Sequence, residues 1–245
     1  MTNPVITDAV ENSFVPLLVI NNKGGEDAKI LKKYNEPAWN YQVIRFLTDS
    51  GKDIIPRRDG ISTQHALSTR MVQALEKSNQ PVPESLKLLT LSTDTSKLEK
   101  VAFSCSCYWT GEYRLGAVPG VISTEAGWID GHEVTLVTYH KDHLKLADLI
   151  KTARKHHVAD RTYLSNEQQR KEAAKVIDTT YELKGYRKAR TSDQKKQISG
   201  TTFAARAKEL QLSLEQETKV NAFCRSDHNK ALSYLTKKQR DILTQ

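Results

Sequence analysis

Cys107 and Glu112 are the residues of this chain best suited to covalent chemistry. Cys107 falls where an apolar, strand-like run over residues 100–105 gives way to a segment of helical character. A thiol at a helix start meets unpaired backbone amides and the positive end of the helix dipole, and both favour the thiolate. Glu112 lies one and a half turns further along the same predicted helix, on an adjacent face, where a carboxyl group can act as general acid toward a ligand held at Cys107. Tyr108 and Trp109 offer an aromatic wall for an apolar group. The same residues also fit a simpler description, a cysteine packed among aromatics in a core. Two further thiols, Cys105 and Cys224, are candidates to resolve an oxidised Cys107. A bridge between Cys105 and Cys107 closes a very small, strained ring. Cys105 also reads as a buried strand residue and Cys224 as a helical core residue, and an external thiol would serve in place of either.

Residues 104–134, SCSCYWTGEYRLGAVPGVISTEAGWIDGHEV, resemble the core of the A-class peptide methionine sulfoxide reductases, whose signature runs GCFWG-x-E, then PGV, then T-x-x-G-[YF]-x-G-G. Cys107, Tyr108 and Trp109 fall on the Cys-Phe-Trp of that pattern and Glu112 on its Glu. Pro119, Gly120 and Val121 fall on PGV, and Thr124, Gly127, Trp128 and Gly131 on the last group, without a gap. The resemblance implies an α/β fold and an attacking Cys107 thiolate. It further implies Glu112 as proton donor to a sulfoxide oxygen, and Tyr108 and Trp109, with Trp128 beside them, as the substrate-binding aromatics. A peptide or protein methionine sulfoxide would be the substrate, a thioredoxin-like or other thiol the reductant, with no cofactor and no metal. The chain departs from the family in carrying Ser106 and Thr110 at glycine positions. It also runs almost directly from Gly131 to Val134, where the family inserts a loop that brings a tyrosine and an aspartate to the oxygen. The pocket is therefore expected to be more open, less polar or turned to another substrate.

Before this core, an aliphatic run over residues 14–20 predicts a buried strand, residues 26–34 a short helix stopped by Pro37, and residues 43–47 and 53–55 a hairpin around Asp49-Ser50-Gly51. A helix capped by Ser62 follows and ends before Pro81 and Pro83. Strand, helix, hairpin, helix resembles the C-terminal part of a thioredoxin-like fold. It lacks a CxxC and the proline that this fold carries in cis, so residues 1–83 read as a partial thioredoxin-like scaffold without a redox centre. Residues 84–99 read as a linker with room for a short helix, 100–158 as the reductase-like α/β domain, and 159–245 as a basic helical region. Within the central domain, the pattern predicts a helix from Cys107 to Val118, strands over 121–129 and 134–139 joined at Asp130-Gly131, and an amphipathic helix over 144–153. Helix candidates beyond it are 166–179, 203–210, 213–223 and 229–243, with 191–200 as a basic loop.

The 245 residues are enough for one large domain or two or three small ones, and 38% hydrophobic with 27% charged is ordinary for a globular chain. No apolar run is long enough to span a bilayer, so no membrane role is expected. The first residues carry Asp8 and Glu11 and no basic-then-apolar leader, which points to a cytoplasmic chain. The net charge of +8 lies in residues 151–245, the rest being close to neutral. Residues 184–190 and Lys195-Lys196, with Tyr181 and Tyr186 interleaved, fit phosphate contacts and base stacking, and they fit an ordinary solvated face equally. His140, His143, His156 and His157 have poor spacing for a metal, and no phosphate loop or dinucleotide fingerprint occurs. Three functions follow: a thiol-dependent oxidoreductase, a thiol sensor or peroxidase using the same Cys107, or a non-catalytic module that binds nucleic acid or an acidic partner.

Overall fold

A computed structural model describes residues 3–37, 39, 43–189, 194, 197–198, 200–201, 203, 206 and 209–244, a mixed α/β protein in two compact units, 1–93 and 94–245. In the first unit, helix α1 (Pro4–Ser13) starts at Asn3, whose side chain accepts from the amides of Val5 and Ile6. Helix α2 spans Gly25–Lys33, α3 Gln64–Lys77 and α4 Glu84–Thr93. Thr63, one residue after the expected Ser62, caps α3 by accepting from the Ala66 amide. The expected hairpin is present as two antiparallel bridges, Ile44 with Arg58 and Leu47 with Asp53. Its core joins Ala9, Phe46, Met71, Ala74, Leu75 and Leu86.

Two expectations for this unit give way. Residues 14–20 do not form a buried strand: they carry no regular secondary structure, Val15 is 96%, Leu17 74% and Leu18 81% exposed, and Phe14 packs against Phe46. Pro16 removes an amide from the run, and the described residues of the unit hold no strand to pair with it. For the same reason the sheet on which a thioredoxin-like fold is built is not found among the described residues. Residues 84–93 are not a linker but a helix whose Leu86 and Leu88 are buried. The polar residues on its outer face mask that apolar side in the composition.

The second unit is built on a six-stranded sheet of order β5-β4-β1-β3-β2-β6. The strands are β1 (Leu98–Ser104), β2 (Val121–Ile129), β3 (His132–His140), β4 (Arg161–Leu164), β5 (Tyr181–Glu182) and β6 (Arg187–Lys188). All neighbours are antiparallel except β4 and β5. Asp130 and Gly131 both take positive φ, 48° and 79°, the conformation that a two-residue hairpin turn requires, so β2 and β3 pair directly with Ile129 opposite His132. Side chains alternate across β1: Val101 and Phe103 enter one core with Leu149 and Ile150 of α6 (Leu146–Lys155), whereas Ala102 enters another with Leu136 and Tyr163.

The region after residue 158 is not purely helical. It supplies β4, β5 and β6 to the sheet, each too short to show a two-residue period, and so the sheet extends past the expected domain boundary. The helices here are α7 (Glu167–Ala173), α8 (Leu214–Phe223), α9 (His228–Ser233) and α10 (Lys237–Thr244). Ser213 and Gln216 form a reciprocal capping box at the start of α8. The single helix expected over 229–243 is divided between α9 and α10. Thr236 accepts from the Gln239 amide and the Gln239 side chain accepts from the Thr236 amide, which starts a new helix there. The expected basic loop over 191–200 and the helix over 203–210 lie largely outside the described residues.

Gly127 permits β6 to close on β2: a Cβ there would stand 2.3 Å from the Tyr186 ring and 2.6 Å from the Arg187 carbonyl oxygen. Gly127→Ala is expected to cost about 1–3 kcal/mol through overpacking. Urea unfolding checks this, and an unchanged midpoint would show that β6 shifts freely.

Candidate active site

The chain leaves β1 at Ser104, bends through Cys105 and Ser106, and enters helix α5 (Tyr108–Gly116) with Cys107 in extended backbone geometry at its N-cap. Three contacts fix this bend. The Cys105 amide donates to the Glu133 carbonyl at 3.3 Å, the Cys105 thiol donates to the Cys107 carbonyl at 3.0 Å, and the Tyr108 amide donates to the Glu133 carboxylate at 3.0 Å. Gly111 brings α5 close to β3, since a Cβ there would stand 2.0 Å from Thr135 Oγ1 and 3.4 Å from the Cys105 sulfur.

Cys107 is half-buried and its side of α5 opens on a cavity of about 450 Å³. Trp109, Thr110, Tyr113 and Arg114 of the same helix line it, with Gln197 and Arg225 opposite. Trp109, on the cavity wall, is 43% exposed. Tyr108 and Trp128 are outside this lining. They meet edge to face at 5.9 Å, and Tyr108 meets Trp109 at 6.3 Å, making a row that supports the cavity from behind.

Glu112 is 2% exposed and is not part of the cavity lining. Its carboxylate accepts from the Ala126 amide at 3.0 Å and from the side-chain amides of Gln194 and Gln197 at 3.3 Å each. Gln197 is therefore the link: it lines the cavity on one side and donates to Glu112 on the other.

The other two thiols point elsewhere. Burial pushes the Cys105 thiol above the ordinary range, partly opposed by backbone hydrogen bonding from Cys107 and Gly111. Cys224, at the end of α8, is also raised by burial, and its sulfur donates to the Asn221 carbonyl. Neither lines the cavity.

Glu133, Gln194, Gln197 and Lys219 escape the sequence pattern. The Glu133 carboxylate accepts from the Tyr108 amide and so stabilises the start of α5. Lys219 is 4% exposed and donates to the Gly116 carbonyl at 2.8 Å, placing a cation at the end of α5.

The tyrosines that fit base stacking are engaged. Tyr186 donates to the Ala126 carbonyl at 3.0 Å, and Tyr181 lies on Tyr163 at 5.5 Å beneath Arg161. Lys184 pairs with Glu182 and Lys188 with Glu125. Arg190 and Lys195-Lys196 lie outside the described residues. His140 and His143 meet at 4.7 Å, and among the described residues no group of three or more potential ligands could hold a metal. No described helix is long and apolar enough to cross a membrane.

The fold and site define a mixed α/β protein with a thiol at a helix start facing a cavity. No family model and no curated protein matches the chain. Among solved structures, methionine sulfoxide reductase A of Corynebacterium diphtheriae is similar at 20% identity and a TM-score of 0.31, over 40% of this chain. The match covers 62% of that chain, just under two thirds of its length.

The unequal surroundings of the three thiols give a direct expectation. Iodoacetamide at about pH 8, near the ordinary thiol range, should label Cys107 in the native protein and leave Cys105 and Cys224 unlabelled until denaturant is added. Peptide mass mapping checks this, and equal native labelling of Cys105 would contradict its placement.

Proposed function

We propose that the chain is a thiol-dependent oxidoreductase that reduces a sulfoxide, with a methionine sulfoxide in a peptide or protein as its substrate. The observation that carries the reading is that Cys107, on which the sequence resemblance is centred, is the sulfur lining the cavity, with Trp109 beside it. The Cys107 thiolate attacks the sulfoxide sulfur while the oxygen takes up a proton. The thioether leaves reduced and the oxygen remains on Cys107 as a sulfenic acid. One thiol then displaces water to form a disulfide with Cys107, and a second thiol restores it. Trp109 offers its face to the substrate methyl, while Tyr108 and Trp128 hold that wall in place. Glu112 is the proton source the sequence suggests. Its carboxylate reaches the cavity only where Gln197 swings aside, so its contribution depends on that amide.

A peroxide-reactive thiol is the second reading. It is favoured by the position of Glu112 behind the cavity wall, because a peroxide carries its own leaving oxygen and needs less from a buried acid. A cytoplasmic setting agrees with either reading, since both need a reducing supply of thiols.

Reduction of a methionine sulfoxide peptide with dithiothreitol should vanish in Cys107→Ser and fall by about 10²-fold in Glu112→Gln, the lower range for loss of a general acid. Turnover that survives Cys107→Ser overturns the reading. Unchanged turnover in Glu112→Gln limits that residue to structure, and faster turnover of peroxide than of sulfoxide selects the second reading.

A further inference from the structure

We infer that the thiol that regenerates Cys107 is a small molecule bearing carboxylates, of the glutathione class, held by Arg114 and Arg225. The inference rests on the proposed oxidation of Cys107 and names the partner in its second half.

Internal regeneration is poorly served. The Cys105 thiol is directed at the Cys107 carbonyl and Cys224 at the Asn221 carbonyl, both are buried, and neither lines the cavity. An oxidised Cys107 is therefore met by whatever enters the cavity. At about 450 Å³ this space falls in the range of small-molecule pockets.

The charge of the cavity decides which small thiol fits. Arg114 and Arg225 are both exposed side chains on its wall, and the described lining contains no Asp or Glu. Arg114 lies against the Tyr113 ring at 5.5 Å, and Arg225 donates to the Gln197 carbonyl at 3.0 Å. Among the described residues neither is in an ion pair with a carboxylate. Each contact leaves most of the guanidinium's five donors for a ligand. Two guanidiniums on the wall that Cys107 also lines suit a thiol with carboxylates on both arms, since arginine binds carboxylates through paired hydrogen bonds. Trp109 and Tyr113 supply flat apolar surface for its backbone.

The chemistry balances. The incoming thiolate attacks the Cys107 sulfenic sulfur and expels the oxygen as water after protonation, giving a mixed disulfide. A second thiolate attacks the small-molecule sulfur, releases Cys107 as thiolate and leaves the symmetrical disulfide, so two thiols lose two electrons per sulfoxide.

The test separates this inference from the reading beneath it. In one arm, reduced protein is mixed with glutathione disulfide or with its ethyl-esterified, carboxylate-free form, and the mixed disulfide at Cys107 is timed by mass spectrometry at low salt. This exchange needs no sulfoxide chemistry. The wild type should react with the anionic disulfide roughly tenfold faster or more, the lower range of electrostatic steering. The preference should fall with added salt and disappear in Arg114→Gln/Arg225→Gln, two exposed positions whose folding is verified by circular dichroism. Equal rates in the wild type, or a preference that survives the double substitution, overturn the inference. In the second arm, a methionine sulfoxide peptide is added and the Cys107 sulfenic acid is trapped with dimedone. Trapping in one aliquot, together with faster regeneration of a parallel dimedone-free aliquot by glutathione than by its ester, supports both readings. A preference in the first arm without trapping in the second leaves the anionic-thiol site standing and removes the sulfoxide. Faster regeneration by a thioredoxin-type dithiol protein than by glutathione, unchanged in the double variant, overturns the small-thiol assignment.

Discussion

The buried carboxylate of Glu112 is the constraint around which the second unit is arranged. Along the outer edge of β2, the described residues of β6 pair with Gly127 and Trp128. An uncovered edge in a folded interior is costly, because each buried amide without a partner loses the free energy of a hydrogen bond. Glu112 accepts from the Ala126 amide and Thr218 from the Thr124 amide, while Gln194 donates to the Thr124 carbonyl. Three segments distant in sequence, α5, α8 and the residues around Gln194, are thereby tied to one strand edge. A carboxylate at this depth needs partners, and three amide donors, from Ala126, Gln194 and Gln197, are among those it has. The same ties bring Gln197 to the wall of the Cys107 cavity.

Much of the central architecture is legible in the sequence because its signals are local. The two-residue turn at Asp130-Gly131, the helix that follows Cys107 and the strand over residues 121–129 each depend on neighbours a few residues away. What a linear pattern cannot contain is which side chain meets Glu112. Gln194, Gln197 and Ala126 are distant from it in sequence, and nothing in their types announces a shared hydrogen-bond network. The result is that a residue well placed for acid chemistry by helical spacing is, in three dimensions, one side chain away from the cavity. Arg225 likewise gains its meaning only from the packing of α8 against α5. Gly116 allows this approach, since a Cβ there would meet Thr218 at 3.1 Å.

The failed expectations have a common physical origin. An aliphatic run such as residues 14–20 has the composition of a buried strand, yet burial also requires a partner with free backbone groups. The short strands β5 and β6 show the converse. Two residues carry no periodicity, and the neighbours that recruit them, β4 and β2, are remote in the chain. The helical impression of the region after residue 158 came from its many long polar side chains, which are equally suited to covering the outside of a sheet.

The direct connection between β2 and β3 bears on the order in which the site is assembled. Joining two nine-residue strands through Asp130 and Gly131 closes a minimal loop, so the hairpin loses little chain entropy in forming. Strand β1 can then dock along β3, bringing with it the bend that carries Cys107. The residues that enclose the thiol from the far side, Gln197 and Arg225, arrive only when the C-terminal segments settle on β2 and α5. Cys107 also precedes Gln197 and Arg225 by about 90 and 118 residues in the chain, so during synthesis the nucleophile emerges before the side chains that complete its cavity.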